Sequence, residues 1–285
     1  MEIRTPSPTV WGDHRLEWGT QTFIMGIVNV TPDSFSGDGL AADQAPDAWA
    51  ERAAAQGTRM VAEGAHIVDV GGASSRPGAP RLSVAIESAR VVPAIRALAA
   101  SLPPHIPISI DTDQAEVAHE ALAAGASIVN DISGLRHDAA MAATVVAAGV
   151  PVIAMANMRL VPHHAVVSDV TRYLADSIER ALAAGIAWDH IIIDPGFGFG
   201  NTPAENIMLL RHLGALRALE RPILLGVSRK STLGHLLGDA PVEDRLEASL
   251  AAAVAGILQG ADIIRTHDVA ATVRAVRVTD AIARG

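Results

Sequence analysis

Eight polar residues recur in this chain at one kind of place, beside or at the far end of a short apolar run. They are Asn29, Asp69, Asp111, Asn130, Asn157, Asp194, Ser228 and Arg265. A floor built only for packing would not carry them, because a buried polar group without a partner costs about 1–3 kcal/mol. They read as a polar cup around a small molecule, with helix capping or loop anchoring as the other use for Asp69 and Asn157. Two chemistries separate within the cup. Asp111, Asn130 and Asp194 can read a flat heterocycle rich in hydrogen-bonding groups, since a carboxylate facing adjacent N–H groups of an aminopyrimidinone makes a paired, charge-assisted bond. Arg76, Lys230, Arg265 and His267 are basic. Arg265 and His267 stand two apart on one run, so both face the same side of a strand. With Asn29 they suit a phosphate or pyrophosphate with Mg2+, which takes oxygen ligands and substrate phosphates.

The elements that must position these residues follow from the apolar pattern. Short β-rich runs cover residues 23–29, 66–70, 106–111, 127–130, 150–155, 190–194, 222–227 and 262–266. Helical stretches alternate with them at 45–63, 84–100, 114–124, 139–148, 169–184, 204–219, 243–259 and 269–283. The strands are continuously apolar, as expected of parallel strands buried on both faces. Gly64, Gly125, Gly149, Gly185 and Gly260 stand where helices stop. Thr202-Pro203-Ala204-Glu205 supplies an N-cap, a proline at the first helical position and a capping-box acid, and Asp113 with Glu116 forms a similar pair. Eight strand–helix units predict an α/β chain folded as a (β/α)8 TIM barrel, one domain over 1–285 with a short N-terminal extension, 1–21. A doubly wound open sheet is the other candidate, but the glycine-rich turn expected after its first strand is absent.

Composition narrows the function. The 285 residues include no cysteine, which excludes disulfides, thiol catalysis and cysteine-bound metals. A net charge of -9 argues against nucleic-acid or anionic-membrane partners, which need broad basic surfaces. No apolar run approaches the ~18 residues of a membrane span. The first 18 residues mix Glu2, Asp13, His14 and Glu17 with prolines, unlike a secretory leader, so a cytoplasmic protein is expected.

Two loops rich in small residues follow the first two strands: Thr31-Pro32-Asp33-Ser34-Phe35-Ser36-Gly37-Asp38-Gly39, and Gly71-Gly72-Ala73-Ser74-Ser75-Arg76-Pro77-Gly78. They read as lids over the cup. Taken with them, the chain carries MGIVNVTPDSFS at 25–36, VDVGGASSRPGA at 68–79, SIDT at 109–112 and NDISGLR at 130–136. DPGFGFG follows at 194–200, GVSRKS at 226–231 and IIRTHDV at 263–269. In order and extent these segments resemble the dihydropteroate synthase family of folate biosynthesis.

The resemblance implies a transferase, usually a homodimer, that joins p-aminobenzoate to 6-hydroxymethyl-7,8-dihydropterin diphosphate and releases pyrophosphate with Mg2+. Asp111, Asn130, Asp194 and Lys230 then become the pterin-reading set, walled by Met155, Phe199 and Gly226. Arg265 stacks on the pterin and meets the diphosphate, with Asn29, Arg76 and His267 on the diphosphate and Mg2+ side. Phe35, Ser75, Pro77 and Ser228 would form the p-aminobenzoate pocket. Asp111, Lys230 and Arg265 carry the catalytic roles, and Asn29 the metal.

The chain departs from the family pattern at Ala73, Gln114, Ala156 and Asn201, where polar or charged residues are usual, and in the spacing of its first loop aspartate, Asp38. Two further readings therefore accompany the synthase: a pterin-binding paralogue with weakened or no turnover, and a methyltetrahydrofolate-dependent methyltransferase on the same barrel.

Overall fold

The computed structural model describes residues 5–31, 46–74, 81–162 and 164–284. Eight parallel strands run in the order of the chain around a barrel: β3 (Phe23–Asn29), β4 (Ile67–Gly71), β5 (Ile108–Asp111), β6 (Ile128–Asp131), β7 (Val152–Met155), β8 (Ile191–Asp194), β9 (Leu224–Leu225) and β10 (Ile263–Thr266). They are preceded by a hairpin, β1 (Thr9–Trp11) and β2 (His14–Leu16). β10 pairs with both β3 and β9, and a parallel bridge between Ile193 and Ile223 closes the ring, with Ile193 N donating to Pro222 O at 2.9 Å. Every residue of β4, β6, β7 and β8 is buried, which is why these runs lack alternation.

Helices wrap the strands: α1 (Pro46–Ala62), α2 (Val84–Ser101), α3 (Ala115–Ala123), α4 (Met141–Ala148), α5 (Val166–Ala184), α6 (Pro203–Arg211), α7 (Ser231–Leu236), α8 (Leu246–Leu258) and α9 (Val269–Ala283). The expected stops are made: Gly149 and Gly185 cap α4 and α5 in the left-handed conformation, φ 66° and 97°. The capping box also forms, with Glu205 N donating to Thr202 Oγ1 (3.3 Å) and Thr202 N to Glu205 Oε2 (2.7 Å).

Four local expectations are corrected. Asp113 does not cap α3; it pairs with Arg81 at 3.0 Å, and Asp138 Oδ2 accepts from Ala115 N at 2.9 Å instead. The stretch 204–219 is two elements, because the α-helix ends at Arg211 and a 3-10 segment runs from Leu213 to Leu219. The run 222–227 is a ladder of only two residues, Leu224 and Leu225, preceded by the single bridge at Ile223. The helix expected over 243–259 begins at Leu246, after a 3-10 turn at Val242–Asp244. The extension 1–21 holds the β1–β2 hairpin, anchored beneath β8 where Thr9 Oγ1 donates to Asp189 O (2.6 Å) and His190 Nε2 lies 2.8 Å from Val10 O. Helix α7, short and partly exposed, carries no sequence signal of its own.

Candidate active site

The carboxyl ends of the strands converge on one guanidinium. Arg265, on β10, donates from Nε to Asp69 Oδ2 (2.7 Å) and from Nη2 to Asp111 Oδ2 (2.7 Å). Asn130 Nδ2 donates to the same Asp69 oxygen at 3.3 Å. Strands β4, β5, β6 and β10 are thus tied across the barrel mouth by four side chains. Burial alone would lower the pKa of Arg265, but Asp69 and Asp111 more than offset it and hold the cation. Asp111 is pushed up to about 7, first by burial, against the pull of Arg265 and with the push of the Asp69 charge.

Beside this network stands Asp194, at the end of β8. Its Oδ1 accepts from Gly196 N at 2.7 Å, and burial raises its pKa to about 6. Gly196 has φ 71°, and a Cβ there would stand 1.8 Å from Ala156 O, so only glycine lets the loop turn and present its amide to the carboxylate. The loop continues to Phe199, whose ring has Lys230 Nζ at 4.3 Å and Arg159 Cζ at 4.6 Å from its centroid. Both distances suit cation–π contact. Burial, with the Arg265 charge, lowers the pKa of Lys230 to about 8. Met155 is buried at the end of β7, and a Cβ on Gly226 would meet nothing within 4 Å. A flat ring could lie against that open backbone.

The structure therefore joins Asp111 to Arg265 by a direct bond, links Asn130 to them through Asp69, and brings Lys230 against Phe199. His267 and Ser228 form a second pair at the ends of β10 and β9: His267 N donates to Ser228 Oγ (3.1 Å), and His267 Nδ1 lies 3.0 Å from the same oxygen. His267 is not the cation expected from the sequence. Burial and the neighbouring Arg265 lower its pKa to about 4, so at neutral pH it is a neutral imidazole. Asn157 takes its alternative role, capping a 3-10 turn through Oδ1 and Arg159 N (3.3 Å). Phe35, Ser75, Arg76 and Pro77, with most of both loops, lie outside the described residues.

The sequence places Asp69 in the polar cup with capping as its other use, and assigns it no role in substrate binding or catalysis. It is wholly buried in mid-strand and is the hub of the network. The available signal was a carboxylate inside an apolar run, which must be paired to be buried. Arg159 and the turn residue Arg229 carried no such signal.

The family departures leave the network intact. Gln114 Nε2 donates to the buried Glu87 Oε2 at 2.6 Å, and Ala156 is wholly buried behind Gly196. Ala73 is exposed, and the Asn201 side-chain amide is buried.

Metal chemistry can be tested on the same geometry. Asn29 Oδ1 and Asp111 Oδ2 flank Gly71, 3.6 and 3.7 Å from where its Cβ would stand. These are hard oxygen donors. Among the described residues no cluster of three histidines or carboxylates could hold a metal by itself. Mg2+ takes oxygen ligands and substrate phosphates, so the Asn29 oxygen fits its chemistry.

A barrel with a buried polar cup at its carboxyl end defines a class, and residues 25–267 match the family model described as pterin binding enzyme. A dihydropteroate synthase of Bacillus subtilis is 40% identical over 267 residues, covering 94% of this chain and 90% of the relative. The Xanthomonas albilineans dihydropteroate synthase solved with 4-aminobenzoic acid superposes with a TM-score of 0.89 at 41% identity, covering 98% of each chain. The same enzyme in complex with 7,8-dihydropteroate gives 0.84 at 40% identity, covering 94% of this chain and 95% of that one. The chain belongs to the pterin-binding enzyme family, among its dihydropteroate synthases.

Proposed function

We propose that the chain condenses p-aminobenzoate with 6-hydroxymethyl-7,8-dihydropterin diphosphate, giving 7,8-dihydropteroate and pyrophosphate. The observation that carries this reading is the buried Asp69–Arg265–Asp111–Asn130 network beside Asp194 and Lys230. Carboxylates beside cations suit a substrate that carries both a hydrogen-bond-donating ring edge and an anionic leaving group. Asp194, oriented by the Gly196 amide, accepts the paired N–H groups of the pterin, with Asn130 and Lys230 completing the reading of its edge. Phe199, Met155 and the open backbone at Gly226 bound the ring faces.

In the reaction the C–O bond to the diphosphate breaks and its electron pair leaves with the pyrophosphate. The p-aminobenzoate nitrogen then bonds to the methylene carbon and gives up a proton. Positive charge develops on the pterin as the bond breaks, and the Asp111 carboxylate would stabilise it. Arg265 stacks on the pterin and reaches the departing anion, joined by the neutral His267 as a hydrogen-bond donor and by Arg76. Asn29 would hold Mg2+, which supplies charge to the leaving diphosphate. Phe35, Ser75, Pro77 and Ser228 would form the p-aminobenzoate pocket, and closure of the two loops would exclude water. No side-chain nucleophile is required.

The test is direct. Purified protein with both substrates and Mg2+ should release pyrophosphate and form dihydropteroate, and Lys230→Ala or Asp194→Ala should lower kcat/KM by at least ~100-fold while circular dichroism stays unchanged. Pterin binding without pyrophosphate release would favour the inactive paralogue. A homodimer, in a cytoplasmic setting, completes the proposal. Leu236 at the end of α7, Leu237 just after it, Leu258 on α8 and Ile282 on α9 are each at least half exposed and suit an apolar interface. Light scattering should give twice the monomer mass, and no helix of the described residues is long and apolar enough to cross a membrane.

A further inference from the structure

Lys230 and Ser228 are delivered by one turn, and the residue between them has an unexpected conformation. The β9–β10 ladder ends at Leu225 and Ile264, so no sheet bond holds the segment 226–230 against 265–268. Arg229 has φ 57°, in the left-handed region that costs an L residue about 1–2 kcal/mol. Glycine would occupy it without strain.

The arginine side chain forks onto Asp268, the residue after His267: Nε to Oδ2 at 2.9 Å and Nη2 to Oδ1 at 2.5 Å. Its backbone is also held, with N donating to Ser249 Oγ (2.9 Å) and O accepting from Arg245 Nη1 (3.1 Å). Two cross-links therefore run side by side between the turns after β9 and β10. One joins Ser228 to His267, and the next joins Arg229 to Asp268.

We infer that Arg229, through its fork on Asp268, is a positioning residue that sets Lys230 and His267 relative to each other for the pterin and its diphosphate. The inference rests on the synthase reading of the site. Strain in a turn persists where the surroundings enforce it, and here the enforcing contacts come from β10's following turn and from Arg245 and Ser249. The pair is partly exposed, 39% and 22% for the two side chains, and ion pairs of that exposure contribute little to stability. A purely structural role would thus leave a small footprint. Displacing a binding group by about 1 Å, in contrast, can cost on the order of 100-fold in rate.

Arg229→Gly separates the two roles, because it keeps the left-handed turn and removes the fork. In the full-length protein, R229G and R229K should lower kcat by roughly 10- to 100-fold. Both should weaken calorimetric binding of the pterin diphosphate by about 10-fold, at a Tm within about 2 °C of the parent. Lysine should not rescue, since a point charge cannot make a two-pronged contact. The double variant R229G/D268A should be no worse than the poorer single variant. Parental kcat and affinity in R229G would overturn the inference, leaving Arg229 a turn residue. Multiplying losses in the double variant would overturn it too, since the two residues would then act separately. If the parent binds the pterin diphosphate without turning it over, the synthase reading fails, and the clamp stands or falls on the binding loss in R229G alone.

Discussion

Asp194 and Lys230 oppose each other in what burial does to them, and both effects bear on pH. Asp194 must be ionised to accept the pterin N–H groups, and burial raises its pKa to about 6. Lys230 must be protonated to donate, and burial lowers its pKa to about 8. kcat/KM for the pterin diphosphate should therefore be bell-shaped, falling on the acid side between about pH 7 and 6, where Asp111 and Asp194 take up protons, and on the alkaline side near pH 8. A profile flat from pH 5 to 9 would contradict the pair's roles. The same burial carries a stability signature. A carboxylate with a raised folded-state pKa contributes its stability below its ordinary pKa and loses it as pH rises through about 6. Asp194→Asn keeps an oxygen for the Gly196 amide and removes the buried charge. The variant should melt above the parent at pH 8, and the gap should close towards pH 4 in a thermal scan. Turnover should fall in the same variant, as expected where a site keeps strain or charge for function.

Helices and strands position these residues through their ends. Helix α6 starts at the Thr202–Glu205 capping box, and its Asn206 Oδ1 accepts from Gly198 N at 2.8 Å, inside the loop that carries Phe199. Thr202→Ala should cost about 1 kcal/mol. For a chain of this size that is a Tm fall of about 2–4 °C, readable by calorimetry. The capping box was legible because every part of it is local: proline, acid and threonine within four residues. The pair Asp113 and Glu116 has the same spacing, yet Asp113 bonds Arg81 while Asp138 serves α3. Asp138 lies 23 residues beyond Ala115, the residue whose amide it accepts from, so spacing could not reveal it. Helix α7 was invisible for a similar reason. Its six residues start from the tight Arg229 turn and depend on neighbours rather than on an amphipathic pattern.

At the scale of the whole molecule, one buried aspartate reinforces the barrel at its thinnest strand. Strand β9 has only two ladder residues, and Asp262, 1% exposed, accepts from Ile223 N (2.9 Å) and Arg217 Nη1 (3.0 Å) through the same oxygen. Asp262→Ala would leave Arg217 without its charge partner and Ile223 N without an acceptor. Breaking such a pair costs about 3–5 kcal/mol. A Tm fall of roughly 10 °C should follow, with product formation per folded molecule little changed. A loss of under 1 °C would place the closing energy in the strand packing instead. The net charge of -9 belongs to this scale and says little about the mouth of the barrel, where cations are set among carboxylates.

The alternation of eight apolar runs with helical stretches marks a parallel α/β fold, and the count of eight units without a glycine-rich turn after the first strand favours the barrel over an open sheet. The polar ends of those runs likewise mark Asp111, Asn130, Asp194 and Arg265, since a polar group there needs a purpose. Which carboxylate holds which cation is another matter. Asp69 and Arg265 are 196 residues apart in sequence, and their bond exists only once β4 and β10 stand two strands apart around a closed ring. The neutral state of His267 was equally out of reach, because it depends on burial and on the Arg265 charge beside it. Residue types set what chemistry is available in this chain, and packing across the barrel mouth decides which groups are charged and where each one points.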